Sequence, residues 1–549
     1  MEYIEIFILV LSFLIFLALG VPIAYSIGFA SVLTIVVSMD AFNPIIGFFM
    51  GELGFADSFA AFSVPFTTVA QRMGTGLDSF ALLAVPFFIL AGQLMNHGGI
   101  ASRLITFAKV LIGWLPGGLA HVNIIANMLF GAISGSAAAS ASAIGGVMHK
   151  RMVDEGYDPE LSAAVNISSA TTGLIIPPSN ILIVYSVASG GVSIGTLFVA
   201  GYIPGILVGL LLMVIAAYFA VKRKYPVDQK IYANKAIKRL LNAIPGLAML
   251  VGLGYLTRFV SDSSLNGILQ WMVWLFIWGG YAAVMYVFYK GIHYNNLSSL
   301  GKILTNIAFA LVGGVWAKID QRESGSYYRF TMGAKTFVDA FPSLLMLVVV
   351  IGGIIAGIFT ATEASAIAVL YALILAFIYK EINAKDLPKI LLDSVGTTSI
   401  VMVLIATCMA MSWVMAFENI PQSVSEILLS VSDNKIVVLL IINLILLFVG
   451  VFMDMTPAVL IFTPIFLPVV TELGVDPIHF GILMVLNLCI GLCTPPVGSV
   501  LFVGSAVANV RISKVIRPLL PMFIAMIIAL MLVTYLPELS LWLPRIIGL

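Results

Sequence analysis

Two apolar segments that repeat one another at an offset of 318 residues constrain this chain more than any other feature of its sequence. Each copy is interrupted near its centre by two adjacent prolines, and no gap is needed to align them. The matching positions are Gly156 with Gly474, Asp158 with Asp476, Pro159 with Pro477, Gly173 with Gly491, Pro177-Pro178 with Pro495-Pro496, Val192 with Val510, and Ile194 with Ile512. So many matches in one register indicate an internal repeat.

The proline pairs predict a helix that is broken at membrane depth. Two adjacent prolines remove two backbone donors and prevent a continuous helix. The apolar residues on both sides are numerous enough to lie within a bilayer. Unpaired backbone groups are tolerated at that depth only where they are buried in protein or line a watery site. Repeated discontinuous helices of this kind are typical of the binding site of a secondary transporter.

The composition indicates a membrane protein. Apolar residues make up 61% of the chain and charged residues 10%, and the mean hydropathy is +1.11. Soluble domains do not have this composition. The net charge of +1 argues against nucleic acid as a partner. The cysteines, Cys408, Cys489 and Cys493, all lie in apolar segments, where they are expected to be packing residues because further metal ligands are lacking.

Residues 116–152 predict a helical hairpin, because the segment is too long for one span and its centre, residues 134–140, is small and polar. The alternative is a seam of small residues between packed helices. The repeat offset places Asp454 at the position of Ser136, within a second hairpin predicted at residues 436–470. A carboxylate inside an apolar stretch is costly and is by default a functional hypothesis.

The repeat divides the chain into three parts. Residues 1–225 form the first repeat, residues 226–335 an insertion with two further spans (243–259 and 267–289), and residues 336–549 the second repeat. The distribution of basic residues then favours two copies of opposite orientation in the membrane. With this threading, only four of the 27 basic residues lie outside, namely Arg72, Arg258, Lys435 and Arg545.

The remaining segments complete the predicted architecture. Two short spans are expected within residues 1–40, and a loop with short helices at 40–78. Amphipathic helices are expected at 98–113 and 420–431. Further spans are predicted at 80–95, 194–221, 342–359, 361–379, 399–417 and 519–536. The predicted fold is thus an all-α polytopic membrane protein with two re-entrant hairpins and two broken helices.

Seven short motifs resemble the large membrane subunit of the tripartite ATP-independent periplasmic (TRAP) transporters, over about residues 1–225 and 336–549. They are Gln71-Arg72-Met73, Phe87-Phe88-Ile89-Leu90-Ala91-Gly92, Leu115-Pro116-Gly117-Gly118-Leu119-Ala120-His121-Val122-Asn123, Ile133-Ser134-Gly135-Ser136-Ala137, Ile175-Ile176-Pro177-Pro178-Ser179, Phe452-Met453-Asp454 and Leu492-Cys493-Thr494-Pro495-Pro496-Val497-Gly498.

The resemblance implies a sodium-driven importer in the bacterial inner membrane that moves its substrate by an elevator mechanism. The substrate is expected to be a small carboxylate delivered by a periplasmic binding protein, and a small four-helix membrane subunit is expected beside the large one. About two or more sodium ions and no organic cofactor are implied. The sequence departs from the family pattern at Ser140, where an aspartate is common, and in its longer insertion. The departure at Ser140 leaves ion stoichiometry and substrate choice open.

Oxygen-rich breaks and hairpin tips are suited to sodium, which takes carbonyl and hydroxyl ligands. The predicted sodium-binding residues are Ser134, Gly135, Ser136, Ser140, Thr171, Thr172, Gly173 and Pro177 in the first repeat, and Asp454, Thr456, Gly491, Thr494 and Pro495 in the second. The predicted substrate-binding residues are Ser179, Asn180, Asn487, Gly498 and Ser499. For each hydroxyl, the alternative is a hydrogen bond to a carbonyl of its own helix.

Two questions stay open from the sequence. Asp454 either serves a sodium site as an ionised carboxylate or caps the helix that begins beside Thr456-Pro457. The chain either depends on a binding protein or is a stand-alone sodium/carboxylate symporter of related fold. A membrane enzyme is disfavoured because no second carboxylate, zinc-binding motif or serine–histidine pair accompanies Asp454. A channel is disfavoured because paired hairpins suit alternating access.

Overall fold

The computed structural model describes residues 2–38, 55–112, 115, 117–225, 325–432, 434–495 and 498–549, and within these ranges every regular element is a helix. The all-helical class is therefore confirmed for the described chain. Most of the predicted insertion, including both of its predicted spans, lies outside the described residues, as does Pro496.

The first repeat supplies ten of the described α-helices, with short 3-10 turns at Phe80–Leu83 and Thr172–Leu174. The helices are α1 (Glu2–Ala18), α2 (Ile23–Ser38), α3 (Phe55–Leu77), α4 (Ala84–His97), α5 (Ile100–Ile112), α6 (Gly118–Ser134), α7 (Ala137–Asp154), α8 (Pro159–Ala170), α9 (Asn180–Ala188) and α10 (Ile194–Arg223).

The second repeat supplies the others. They are α11 (Gly325–Ile355), α12 (Ala361–Ile378), α13 (Leu387–Phe417), α14 (Ile420–Val431), α15 (Lys435–Phe452), α16 (Met455–Glu472), α17 (Pro477–Gly491), α18 (Ser499–Ala508), α19 (Ile512–Tyr535) and α20 (Glu538–Ile547). We call α6 with α7 hairpin 1, α15 with α16 hairpin 2, α8 with α9 broken helix 1, and α17 with α18 broken helix 2.

Seven described helical stretches are long and apolar enough to cross a bilayer. They are Phe80–His97, Ile194–Arg223, Ala361–Ile378, Leu387–Phe417, Lys435–Phe452, Met455–Glu472 and Ile512–Tyr535. Three shorter apolar helices, α6, α17 and α18, belong to hairpin 1 and broken helix 2. A break shortens each half of a helix below the span length, so these elements need protein around their ends.

Both predicted hairpins form, each with a turn of two residues. Hairpin 1 turns at Gly135, whose φ of 61° lies in the left-handed region that glycine adopts without a steric penalty. Ser136 then caps α7 by accepting a hydrogen bond from the Ala139 N–H at 3.2 Å. Hairpin 2 turns at Met453 and Asp454. The small polar segment at 134–140 thus contains the predicted turn at Gly135 and Ser136, whereas residues 137–140 already belong to α7.

The two repeats interlock by exchanging contacts. The second arm of hairpin 1, α7, packs against α18, and the second arm of hairpin 2, α16, packs against α9. Gly504 in α18 lies so close to Ile167 that an added Cβ would be 2.3 Å from its Cγ1. Tyr185 in α9 donates a hydrogen bond to the Pro477 carbonyl at 2.6 Å. Each broken helix is thus held by the hairpin of the other repeat.

Contacts along the chain define two units. The first comprises residues 1–109, 117–226 and 338–549 and contains both hairpins and both broken helices. The second comprises residues 110–116 and 227–337. Helix α11 begins at Gly325, before the residue 336 at which the second repeat is predicted to start. All contacts discussed below lie within the first unit.

The segment predicted as a loop with short helices, residues 40–78, is described only from residue 55 onward, and there it differs from the prediction. Helix α3 runs without interruption over Phe55–Leu77. Val69 is buried in a cluster with Ile35, Ala410 and Val414, which brings α3 against α2 and α13. Burial of apolar surface stabilises the helix although its sequence is only weakly hydrophobic.

A helix that the sequence did not predict follows the last span. Helix α20 packs against α10 and α17. His479 of α17 lies fully buried, with Nδ1 2.7 Å from the Ser540 Oγ of α20. Because α20 is amphipathic and short, only this tertiary contact distinguishes it from a frayed terminus.

The predicted orientation places the C-terminal end of α7 and the start of α19 on the inner side of the membrane. We expect cysteines introduced as Lys150→Cys and Arg511→Cys to react with a membrane-impermeant maleimide only in inside-out vesicles. Both positions are exposed. Arg545→Cys, exposed and predicted outside, is the matched control and should react only in intact spheroplasts. Labelling of Lys150→Cys and Arg511→Cys from the periplasm would contradict the predicted threading.

Candidate substrate and ion site

Broken helix 1 is not α-helical at its centre, and it packs directly on hairpin 1. Helix α8 ends at Ala170, a 3-10 turn covers Thr172–Leu174, and α9 begins at Asn180. Gly173 packs so closely on α6 that an added Cβ would lie 2.4 Å from the Gly131 Cα. At the hairpin tip, a Cβ on Gly135 would lie 2.7 Å from the Asn180 Nδ2. The structure therefore brings the predicted residues of the tip and of the break together.

Broken helix 2 repeats this arrangement. Gly491, the repeat partner of Gly173, packs on α15, where an added Cβ would lie 2.6 Å from the Gly450 Cα. The chain after the break folds back, because the Leu492 carbonyl accepts hydrogen bonds from the N–H groups of Val500 and Leu501 at 3.2 and 3.4 Å. A Cβ on Gly498 would lie 2.5 Å from the Leu492 oxygen. Glycine is required at these backbone contacts because no side chain fits.

The two breaks also meet each other. Cys489 is the repeat partner of Thr171, and its Sγ donates to the Thr171 carbonyl at 3.4 Å. Cys493 reaches the Ile167 carbonyl, also at 3.4 Å. Both thiols are buried, and in the described chain no group of three histidine, cysteine or acidic side chains is placed to hold a metal ion. The burial of both thiols and their bonds to carbonyls are consistent with packing residues.

Several predicted hydroxyl ligands donate to carbonyls of their own segment. The donors and acceptors are Thr171 to Ser168 at 3.0 Å, Thr172 to Ser169 at 2.6 Å, Thr494 to Ile490 at 2.9 Å, and Ser179 to Leu174. The alternative of a hydrogen bond to the residue's own helix is thus realised for Thr171, Thr172 and Thr494, whereas Ser179 bonds across the break. A hydroxyl that donates its one proton still has lone pairs for a cation, so these bonds do not remove the residues from an ion site.

Ser140 belongs to a buried polar network and not to the hairpin tip. Its Oγ donates to the Asn127 Oδ1 at 2.7 Å. The Asn127 Nδ2 lies 2.6 Å from the Asn123 Oδ1, 2.9 Å from the Ser169 Oγ and 3.1 Å from the Asn166 Oδ1. Satisfied networks of this kind fix the packing of helices in a core. Ser140 therefore joins α6, α7 and α8, and it is neutral where the resembled pattern commonly has aspartate.

Asn487, predicted to bind substrate, is fully buried in a second network. Its Nδ2 donates to the Asn443 Oδ1 at 2.8 Å, and the Asn443 Nδ2 donates to the Thr534 Oγ1 at 3.0 Å. Asn487 is the repeat partner of Ser169, so each repeat joins its broken helix to its hairpin at this position. Ser499, a second predicted substrate residue, is exposed. Asn487 and Ser499 therefore share no exposed surface in this conformation.

Sequence reasoning singled out Asn487 but missed the other asparagines of the two networks. Asn123 and Asn127 are one helical turn apart in an otherwise apolar segment, and Asn443 stands alone in another. Amide side chains inside apolar helices are costly unless paired, which was the available signal. What the sequence did not contain was the partner, because Asn166, Ser169 and Thr534 come from other helices.

Asp454 lies at the tip of hairpin 2 with its side chain exposed on the described chain. Its backbone occupies the N-cap position of α16, but its carboxylate accepts no capping hydrogen bond. Ser136, its repeat partner, does accept one. Thr456 follows within the first turn of α16 and is half-buried. The capping alternative is therefore not realised, and the carboxylate is available for another partner.

Pro178 forms one wall of a narrow apolar cavity between the break and the neighbouring spans. The cavity is lined by Phe88, Ala91, Met95, Pro178, Met346, Leu347, Val350 and Ala368. These residues come from α4, α11 and α12. The break thus presents Pro178 to apolar helices, whereas Asn180 lies beside the tip of hairpin 1.

Comparison with known proteins decides the family. The family model of the tripartite ATP-independent periplasmic transporter, DctM component, matches residues 10–261 and 275–539. The chain belongs to this DctM family. It is therefore a multi-pass inner-membrane transport protein rather than an enzyme, as the sequence predicted. Permeases of the family work with a small membrane subunit and a periplasmic binding protein.

Several curated DctM relatives cover nearly the whole chain. The uncharacterized protein YgiK of Salmonella typhimurium is 45% identical over 99% of this chain and 98% of its own length. The sialic acid large permease SiaM of Vibrio cholerae is 34% identical over 87% and 89% of the two chains. The C4-dicarboxylate large permease DctM of Rhodobacter capsulatus is 32% identical over 89% and 93%.

A solved structure resembles the fold at low sequence identity. The YdaH transporter of Alcanivorax borkumensis aligns with a TM-score of 0.52 and 14% identity, over 89% of this DctM-family chain and 90% of that one. At this identity the likeness concerns the fold alone. It agrees with an all-helical transporter fold for the described chain.

Proposed function

We propose that this chain is the translocating subunit of a sodium-driven importer for an organic acid. The observation that carries the proposal is the pair of helix breaks, each closed against its own hairpin by a glycine contact, Gly173 on Gly131 and Gly491 on Gly450. Such breaks supply unpaired backbone groups at membrane depth without a charged side chain. The substrate arrives on a periplasmic binding protein, and the small membrane subunit packs beside this one.

Sodium binds at the two tips. At the first tip, the carbonyls of Gly135, Gly173 and Pro177 and the hydroxyls of Ser134, Ser136, Thr171 and Thr172 offer oxygen atoms. The buried Asn180 Oδ1 next to Gly135 has no hydrogen-bond partner among the described residues, which supports a cation there. At the second tip, Asp454 and Thr456 join the segment containing Gly491, Thr494 and Pro495. About two sodium ions follow, one for each tip.

An anionic substrate fits between the tips. Helices α9 and α18 begin immediately after the breaks, and helix N-termini favour negative charge through their unpaired N–H groups. Ser179, Asn180, Gly498 and Ser499 lie at these N-termini. No lysine or arginine occurs within residues 171–180 or 491–499, so backbone dipoles replace a basic clamp. The relatives named for sialic acid and C4-dicarboxylate support an organic acid as substrate.

An elevator movement would carry the interlocked hairpins and broken helices past α4, α12 and α13. Helix α4 packs against both α12 and α13, and the two groups touch where α4 meets α6 and where α13 meets α16. Amphipathic α5 connects the two groups at its ends. Its Arg103 lies 3.6 Å from the Glu381 Oε1 and 3.7 Å above the ring of Tyr379, which fixes the start of α5 to the end of α12. Movement is then expected at the other end of α5.

Uptake should require both a sodium gradient and the binding protein. Proteoliposomes containing this chain with its small subunit should accumulate a radiolabelled organic acid only when both are supplied. The matched control replaces external sodium by choline at equal membrane potential. Full uptake without sodium would contradict the sodium coupling. Full uptake without the binding protein would instead favour the stand-alone symporter.

A further inference from the structure

The inner end of the first unit carries a concentrated group of basic residues from three helices. Lys150 and Arg151 end α7, and Lys222, Arg223 and Lys224 end α10. Arg511, Lys514 and Arg517 begin α19. All eight are exposed. Two contacts hold these ends together: Arg223 forms an ion pair with Asp158 in the turn after α7, and α7 packs against α18, which precedes α19.

The basic charge of this end is mostly unneutralised. The acidic residues nearby are Asp154, Glu155, Asp158 and Glu160, against eight basic ones. Among the described residues, Arg223 is the one member of the group that forms an ion pair. Like charges gathered at one end of a protein repel one another unless an anion lies among them. With eight basic and four acidic residues, this end of the fold keeps an excess of four positive charges.

The basic residues lie at the ends of exposed apolar stripes. On α10, Leu210, Val214, Tyr218 and Lys222 follow one another every four residues, so they share one face. The first three are 54%, 63% and 56% exposed. The Lys222 Nζ donates to the Tyr218 hydroxyl at 3.3 Å. A tyrosine followed by a lysine at the end of such a stripe is typical of the level of lipid headgroups.

Helix α19, which packs against α10, has the same pattern in the opposite chain direction. Lys514 and Arg517 come first, and Leu520, Ile524 and Ile528 follow at four-residue spacing with 60%, 53% and 47% exposure. Two neighbouring helices thus present acyl-facing stripes that end in basic side chains. Basic pockets between spans on the cytoplasmic side are suited to the phosphates of anionic lipids.

We propose that the inner end of α10 and α19 binds an anionic phospholipid, with its phosphate held by Lys222, Lys514 and Arg517 and its acyl chains along the two stripes. A soluble anion or a nucleic acid fits less well, because neither uses the adjoining apolar surface. The proposal does not depend on sodium coupling or on the identity of the substrate. Helices α10 and α19 pack on the broken helices. The lipid would therefore be bound beside the helices that carry the candidate substrate and ion site.

The test is competition between lipids on the purified transporter by native mass spectrometry. Dioleoyl phosphatidylglycerol and dioleoyl phosphatidylcholine are added at equal concentration, and the ratio of the bound species is measured. We expect the triple variant Lys222→Gln, Lys514→Gln, Arg517→Gln to lower the ratio at least about fivefold, since each basic residue near a membrane surface contributes about fivefold to the binding of anionic lipid. The charge-preserving triple Lys222→Arg, Lys514→Arg, Arg517→Lys should keep the wild-type ratio.

The matched control removes the same charge elsewhere on the predicted inner side. Lys380→Gln, Lys385→Gln, Lys389→Gln changes exposed residues in the link after α12 and the first turn of α13, and should leave the ratio within about twofold of wild type. An equal loss in both neutralised triples, or no loss in the first, would overturn the site. Displacement of the phosphatidylglycerol by an equal concentration of glycerol phosphate would overturn the lipid as its occupant.

Discussion

Replacing Asp454 by asparagine should lower the apparent sodium affinity of uptake by about tenfold or more, because an isosteric change removes the negative charge that we propose for the second sodium site. The carboxylate is at the tip of hairpin 2 and does not accept the capping hydrogen bond that its repeat partner Ser136 accepts. The fold should therefore survive the substitution. The measurement is the sodium dependence of uptake at matched membrane expression.

Asp476 provides a matched control for this experiment. It also occupies a helix N-cap in the second repeat, but it accepts a hydrogen bond from the Ile478 N–H at 2.7 Å. Asparagine can accept the same bond, so Asp476→Asn should leave both stability and sodium dependence unchanged. An unchanged sodium curve and rate in Asp454→Asn, alongside a normal control, would remove Asp454 from the proposed site.

Placing a methyl group on Gly173 or Gly491 should abolish most transport. The Cβ of Gly173→Ala would lie 2.4 Å from the Gly131 Cα and 2.6 Å from its carbonyl carbon, and that of Gly491→Ala would lie 2.6 Å from the same atoms of Gly450. Backbone atoms on both sides leave no side chain to move aside. The hairpin arm must shift, at a cost of about 1–3 kcal/mol or more. Thermal stability and uptake should both fall.

Gly146 is the matched control for these glycines. It lies within α7 of hairpin 1, and an added Cβ would have no heavy atom within 4 Å. Gly146→Ala should therefore be neutral or stabilise the helix by about 0.5–1 kcal/mol. Wild-type melting temperature and uptake in Gly173→Ala and Gly491→Ala would contradict the close packing of breaks on hairpins.

The sequence predicted the features that depend on local backbone chemistry. Prolines at 177–178 and 495 interrupt helices wherever they lie, and Gly135 permits a tight turn because it has no Cβ. The repeat, the breaks, both hairpin tips and the membrane class therefore followed from the chain alone. The motifs around these features also placed the chain in its family, which comparison with known permeases confirmed.

Only the tertiary structure decided which helices pack against each break and each hairpin. The packing of α7 on α18 and of α9 on α16 joins residues that are far apart in the chain. The asparagine networks around Asn127 and Asn443, and the contacts that hold the continuous helix α3, do the same. The free energy of such contacts comes from buried area and paired polar groups, which no local window of sequence contains. Local chemistry thus determined where the helices break, and packing determined what closes over each break.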